Sequence, residues 1–219
     1  MTEERRKFKR ETAEARKAAL IAATLELVAE KGVRGATVRA IAERADVTQG
    51  LIRHYFSSKE ELISAAYEHH MTYMTDLTEA PATQVTGCAV SRLSAFVVAS
   101  LTPPVVDPRS IGLWASFLNK VQQDPVMRQI HAQTYADFRD RLEALIDAAL
   151  RETGRSVAPP GLRHLAIACN AVIDGLWLEG GALPDAFEPG ELPEIGVRSV
   201  GAITGLELKM TPQEKADRP

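Results

Sequence analysis

The sequence predicts an all-α protein. Apolar residues recur every three to four positions through most of the chain, no stretch alternates apolar and polar residues with period two, and Gly or Pro breaks the apolar runs at ordinary helix lengths. With 219 residues, 45% of them apolar and 25% charged, the composition is that of an ordinary soluble protein and excludes disordered and fibrous classes. The length suits one large domain or two small ones.

The first helix is expected from about Ala13, where Ile21, Leu25 and Val28 fall on one face and Gly32 sits where a left-handed C-cap would end it. Residues 1–12 carry RRKFKR without apolar periodicity, either a solvated end or a basic arm that touches an anionic partner. Thr37 offers an N-cap hydroxyl ahead of Val38, Ile41, Ala42 and Ala45, a second short helix. Asp46 and Val47 then lead to Thr48, a second cap, which opens a third short helix carrying Leu51, Ile52 and Phe56. Two brief helices joined by so tight a turn form a helix-turn-helix.

Ser58 caps the next helix, with Glu60 and Glu61 complementing its dipole and Leu62, Ala66, His69 and Tyr73 continuing it to about Leu77. Thr78 to Thr86, polar with one proline, is expected to be a loop. Five further helices are expected at about 88–101, 110–122, 125–153, 160–180 and 193–208, separated by Pro103-Pro104, Asp124-Pro125, Gly154, Pro159-Pro160 and the stretch from Pro184 to Pro193. The tail from Lys209 to Pro219 is expected to be disordered.

The net charge of -3 hides an asymmetry. Residues 1–59 hold 13 Lys and Arg against 8 Asp and Glu; the remainder holds 13 against 21. A basic head on an acidic body is expected when only the head meets phosphate. Packing of Val47, Ile52 and Phe56 inward leaves Thr48, Gln49, Gly50, Arg53 and Tyr55 exposed, and Arg and Gln are the side chains that read guanine and adenine in the major groove. Gly50 keeps the start of that helix clear of an approaching duplex. His54 is left open between a DNA contact and a surface histidine packed on the following helix.

The segment TVRAIAERADVTQGLIRHYFSSKEEL, from Thr37 to Leu62, strongly resembles the DNA-binding region of the TetR family of repressors. Gly32, Thr37, Ile41-Ala42, Val47-Thr48, Tyr55-Phe56 and Ser58-Lys59 fill the family's places; Asp46 departs, standing where Gly is common, though Asp tolerates left-handed backbone. The resemblance implies that Thr37, Thr48, Tyr55 and Lys59 contact phosphates and that Arg39, Gln49, Gly50 and Arg53 approach base edges. It also implies two domains, a DNA-binding domain over 13–60 and a helical effector-binding and dimerisation domain over 61–208.

Two later segments, LWASFLNKVQQDP (Leu113 to Pro125) and IDGLWLEGGAL (Ile173 to Leu183), are similar to the repressor branch that controls choline-to-glycine-betaine genes. That likeness implies a choline-like effector. Trp114 and Trp177 fall inside these segments, and aromatic faces with a carboxylate such as Asp174 suit a quaternary ammonium, although both tryptophans suit plain packing as well. Phe117, Tyr135 and Phe138 complete the candidate ligand set, on stripes that also carry His131, expected as a core or surface histidine. Leu165, Cys169, Val172, Ile173 and Leu176, with Val200, Ile203 and Leu206, read as dimer helices, and Gly201 and Gly205 as room for close helix approach.

Cys88 and Cys169, far apart and without a CxxC partner, are expected as buried thiols. No GxSxG, P-loop, GxGxxG or HExxH motif appears, so no catalytic residue, metal site or cofactor is expected. Residues 1–18 lack the apolar run of a signal peptide or membrane span, which predicts a cytoplasmic protein. The expected partners are an operator duplex, a small effector and a second copy of the chain. The alternative is a DNA-binding activator or architectural protein without a small ligand.

Overall fold

The computed structural model describes the backbone of residues 3–210 and the side chains of residues 13–210. Among them are α1 (Glu3–Gly35), α2 (Val38–Arg44), α3 (Gln49–Tyr55), α4 (Lys59–Gln84), α5 (Ala89–Ser100), α6 (Pro108–Gln123), α7 (Pro125–Glu152), α8 (Pro159–Ala182) and α9 (Glu191–Thr204), with one 3-10 turn at Pro184–Ala186. No strand occurs among the described residues, and the all-α expectation holds. The proposed contacts of the RRKFKR side chains, and the tail beyond Met210, lie outside the described residues.

The chain divides into two compact units, Met1–Met71 with Gly112–His131, and Thr72–Ile111 with Ala132–Pro219. In the first, Leu20, Leu27, Ile41, Ile52, Phe56, Leu62 and Ile63 pack with Leu113, Phe117, Val121 and Met127, all buried. Part of α6 and the start of α7 thus share one core with the short helix pair. Tyr67, fully enclosed, lies against Phe117 and shares a 2.5 Å hydrogen bond with His131 Nδ1, so His131 is a core histidine; its burial lowers its pKa. Asp124 caps α7, its Oδ1 accepting from the amides of Val126 at 2.9 Å and Met127 at 3.4 Å.

In the second unit Leu93, Phe96 and Val97 of α5, Leu142, Ile146 and Leu150 of α7, Cys169 and Ile173 of α8, and Val197 and Val200 of α9 form one buried cluster. Four expectations change here. Thr78 to Thr86 is not a loop: α4 runs to Gln84 through Pro81, because Thr78 and Ala82 are buried and Arg141 of α7 pairs with Asp76 and Glu79 on its final turns. Pro81 removes one backbone donor from the last turns of α4.

Gly201 and Gly205 serve the end of α9 within this unit. Gly205, at φ +67°, ends α9 at Thr204; the Leu206 amide returns to the Gly201 carbonyl at 3.0 Å, and Arg155 donates to the carbonyls of Thr204 and Gly205. Cys169 is buried as expected, but Cys88, the residue before α5, is exposed; its thiol, 3.2 Å from Ser91 Oγ, has a lowered pKa from that hydrogen bond. Finally, Leu165, Cys169, Ile173 and Leu176 pack within the unit rather than outward.

Candidate nucleic-acid interface

Two threonines build the motif. Thr37 Oγ1 accepts from the Ala40 amide at 3.2 Å and Thr48 Oγ1 from the Leu51 amide at 3.4 Å, so each hydroxyl caps its helix while its own proton remains available to an external acceptor. The turn between them closes with the Val47 amide on the Ala42 carbonyl at 2.9 Å. Asp46 takes φ +52°, the left-handed conformation its place in the turn demands. Gly32 likewise adopts a positive φ of 68°, but as a kink within α1, which resumes to Gly35.

Ile52 and Phe56 are 2% exposed, while Thr48, Gln49, Gly50, Arg53 and His54 are exposed together. A Cβ on Gly50 would meet only Thr48 Oγ1, at 3.8 Å, so nothing inside the protein requires glycine there. Tyr55 departs from the expected face: it is half-buried against the core, its ring 5.1 Å from that of His54. Lys59 is half-buried too, its Nζ donating to the Val33 carbonyl at 3.3 Å. Arg39, at the outer face of α2, donates through Nε to Glu43 Oε1 at 2.8 Å.

Arg44 escaped the sequence reading. Its guanidinium bridges from α2 to α1, donating to Glu26 at 2.9 Å and as a fork to Glu30 at 2.9 and 2.7 Å. These partners lie a whole helix earlier in the chain, so no local pattern signals them. Lys17 over the Phe56 ring, at 5.6 Å, is a second such tie. At the start of α4, Ser58 Oγ accepts from the Glu61 amide, and Glu61 reaches back to Ser57; those Ser57 hydrogen bonds lower the Glu61 pKa.

The ligand candidates divide between the units. Trp114, half-buried, and Phe117, fully buried, belong to the first; Tyr135, Phe138, Asp174 and Trp177 belong to the second. Phe138 is turned onto Phe96 at 5.2 Å, and Trp177 Nε1 donates to the Val105 carbonyl at 2.9 Å. Asp174 is the chemically distinctive member. Burial raises its pKa to about 6, opposed by a 2.9 Å hydrogen bond from Asn170 Nδ2 and by the positive Arg139. The oxygen of that amide, Asn170 Oδ1, is buried without a hydrogen-bond partner.

Two capped short helices, the second exposing Gln, Gly and Arg, define a helix-turn-helix, the element of a DNA-binding transcription regulator. Residues 20–66 match the family model for bacterial regulatory proteins of the tetR family, and residues 89–205 match that for the C-terminal part of BetI-type transcriptional repressors. The chain belongs to the TetR family, in its BetI-type branch. The HTH-type transcriptional regulator BetI of Burkholderia cenocepacia strain J2315 is 30% identical over 167 residues, covering 76% of this chain and 82% of that protein. A transcriptional regulator from Pseudomonas aeruginosa PAO1 superposes with a TM-score of 0.79 at 30% identity, covering 94% of this chain and 95% of that one. A regulator from Saccharomonospora viridis, solved in complex with choline, shares the fold at a TM-score of 0.66 and 18% identity, covering 90% and 99% of the two chains.

Proposed function

We propose that the protein is a cytoplasmic, ligand-responsive repressor that binds a pseudo-palindromic operator as a homodimer and is released by a choline-like cation. The observation that carries the reading is the exposed row of Thr48, Gln49, Gly50 and Arg53 on a helix whose other face is core. In this reading residues 13–60 bind DNA and residues 61–208 bind effector and partner. Arg39, Gln49, Gly50 and Arg53 approach bases, and Thr37, Thr48, Tyr55 and Lys59 meet phosphates. A helix of seven residues reads few base pairs, which favours two copies on half-sites about 34 to 36 Å apart, or a multiple of that.

The homodimer is supported by α8. By length and composition alone this helix could cross a membrane, because it is apolar on two faces. Cys169 and Ile173 supply the core face, while Ile167, Ala168, Ala171, Gly175 and Leu178 lie exposed along the other. A two-fold contact of this face with its copy would cover it, and the open space around Gly175 admits a close crossing. The choline-like effector is supported by the half-buried Asp174 carboxylate with Trp177 one turn away on α8, and by the choline of the Saccharomonospora viridis regulator. Footprinting on the flanking intergenic DNA, with and without choline, tests the whole reading. Two protected half-sites that choline releases are expected; a single asymmetric half-site bound at full affinity overturns it.

A further inference from the structure

We propose that the first unit carries a second small-molecule site, for a diphosphate group, in a basic cleft whose residues are distinct from those around Asp174. The cleft has a volume of about 660 Å³, within the range of small-ligand sites. Its walls are the end of α1 with Lys31 and Arg34, Lys59 at the start of α4, and Asn119, Lys120 and Asp124 from the end of α6 to the start of α7.

The lining favours an anion. Four cationic side chains face one carboxylate, and that carboxylate is already engaged. Asp124 Oδ1 accepts from two α7 amides, and Oδ2 lies 3.6 Å from Lys120 Nζ. Desolvation raises the Asp124 pKa, but these contacts together outweigh it and hold the group below its ordinary value, so it stays ionised near neutral pH. Lys31, Arg34 and Lys59 form no ion pair among the described residues. Lys59 uses one ammonium proton on Val33 and keeps two. Asn119 Oδ1 accepts from Gln123 Nε2 at 3.3 Å, so its own amide nitrogen is left as a donor.

The net excess of three positive charges in a concave, donor-rich space matches a diphosphate better than a single phosphodiester of a duplex. Occupation would have a regulatory consequence that rests on the reading of Lys59 as an operator-phosphate contact: diphosphate and operator would compete for its ammonium. Linkage makes the effect reciprocal.

The test is titration of the full chain with inorganic pyrophosphate by calorimetry at fixed ionic strength. Saturable one-to-one binding is expected, weakened about tenfold or more in Lys31→Gln/Lys120→Gln and unchanged in Arg163→Gln, an exposed charge on α8. Arg34→Gln, also exposed, repeats the test independently, and thermal melts check that each variant folds. Absence of saturable binding, or equal affinity in the double variant, overturns the proposal. So does a double variant that only lowers the salt dependence of DNA binding while pyrophosphate binds neither protein, which would assign the cleft to the duplex backbone. Pyrophosphate binding that leaves operator affinity unchanged supports the site and counts against the assignment of Lys59 to DNA.

Discussion

Arg39 Nε donates to Glu43 Oε1 across 2.8 Å, one turn apart on the outer face of α2, with both side chains largely exposed. The contact occupies Nε and leaves both terminal nitrogens of the guanidinium pointing elsewhere, the pair that reads guanine O6 and N7. It raises the Arg39 pKa, through the Glu43 hydrogen bond first and its charge second. With Arg39 approaching bases as proposed, Glu43 would have two opposed effects on DNA: ordering a reading side chain and repelling phosphate.

Replacing Glu43 by Ala should separate those effects. Random DNA should bind about twofold to tenfold more tightly, because a carboxylate is gone from the phosphate-facing side. Operator should gain less, so the specificity ratio falls. Titration of both duplexes at several salt concentrations decides the matter; an unchanged ratio would show that Arg39 is not ordered by Glu43 in the complex.

Arg53 and Lys59 should fail differently. Arg53→Ala is expected to cost about 1 to 3 kcal/mol on operator and to relax base preference at one position. Lys59→Ala should weaken all duplexes alike and reduce the salt slope by about one unit. Equal, sequence-independent losses from both would remove Arg53 from the reading set.

The reader was legible because its signals are local. Thr37 and Thr48 stand one residue before short apolar stripes, and both proved to be caps. Asp46 stands where the turn needs a positive φ, and takes one. What stayed hidden depends on partners distant in sequence. Pro81 looked like a breaker because Arg141, which pairs with the end of α4, lies 62 residues from Glu79. Tyr55 looked exposed because its helix is short, yet the first unit's core reaches it. On α8, periodicity revealed one apolar stripe and assigned it to the dimer, whereas that stripe is core and a second stripe faces out.

That second stripe gives the dimer prediction its test. Ala171→Glu places a carboxylate in the middle of the exposed α8 face, where a two-fold contact would set two of them together without partners. Burying an unpaired charge costs about 3 to 5 kcal/mol, so sedimentation should show a monomer with an unchanged helical spectrum and poor operator affinity. Removing the chain from Pro184 onward is the cruder version. Because Val197, Val200, Thr204 and Leu206 are buried in the second unit, that truncation should aggregate rather than yield a soluble monomer. A soluble Ala171→Glu dimer would move the interface off α8.

In the proposed reading, Asp174 would join effector binding to pH. Its carboxyl titrates at about 6 in the folded protein, chiefly from burial, against an ordinary value of 3.8. Between about pH 4 and 6 the folded protein holds a proton that the unfolded chain has released, so stability falls as pH rises through that window and is flat above it. At about 1.4 kcal/mol per unit the loss is of order 2 to 3 kcal/mol. Asp174→Asn, which keeps the shape and removes the titration, should flatten this slope and be the more stable protein at pH 7.5; urea unfolding at pH 4.5 and 7.5 reads both. A bound cation needs the ionised form, so choline affinity should fall about tenfold per unit as pH drops below 6 in the wild type and be lost at every pH in Asp174→Asn, with operator affinity retained. Trp177→Ala should lose the same response. Choline binding that is independent of pH and survives Asp174→Asn would place the effector elsewhere, and the stability slope would then stand as a purely structural property of α8.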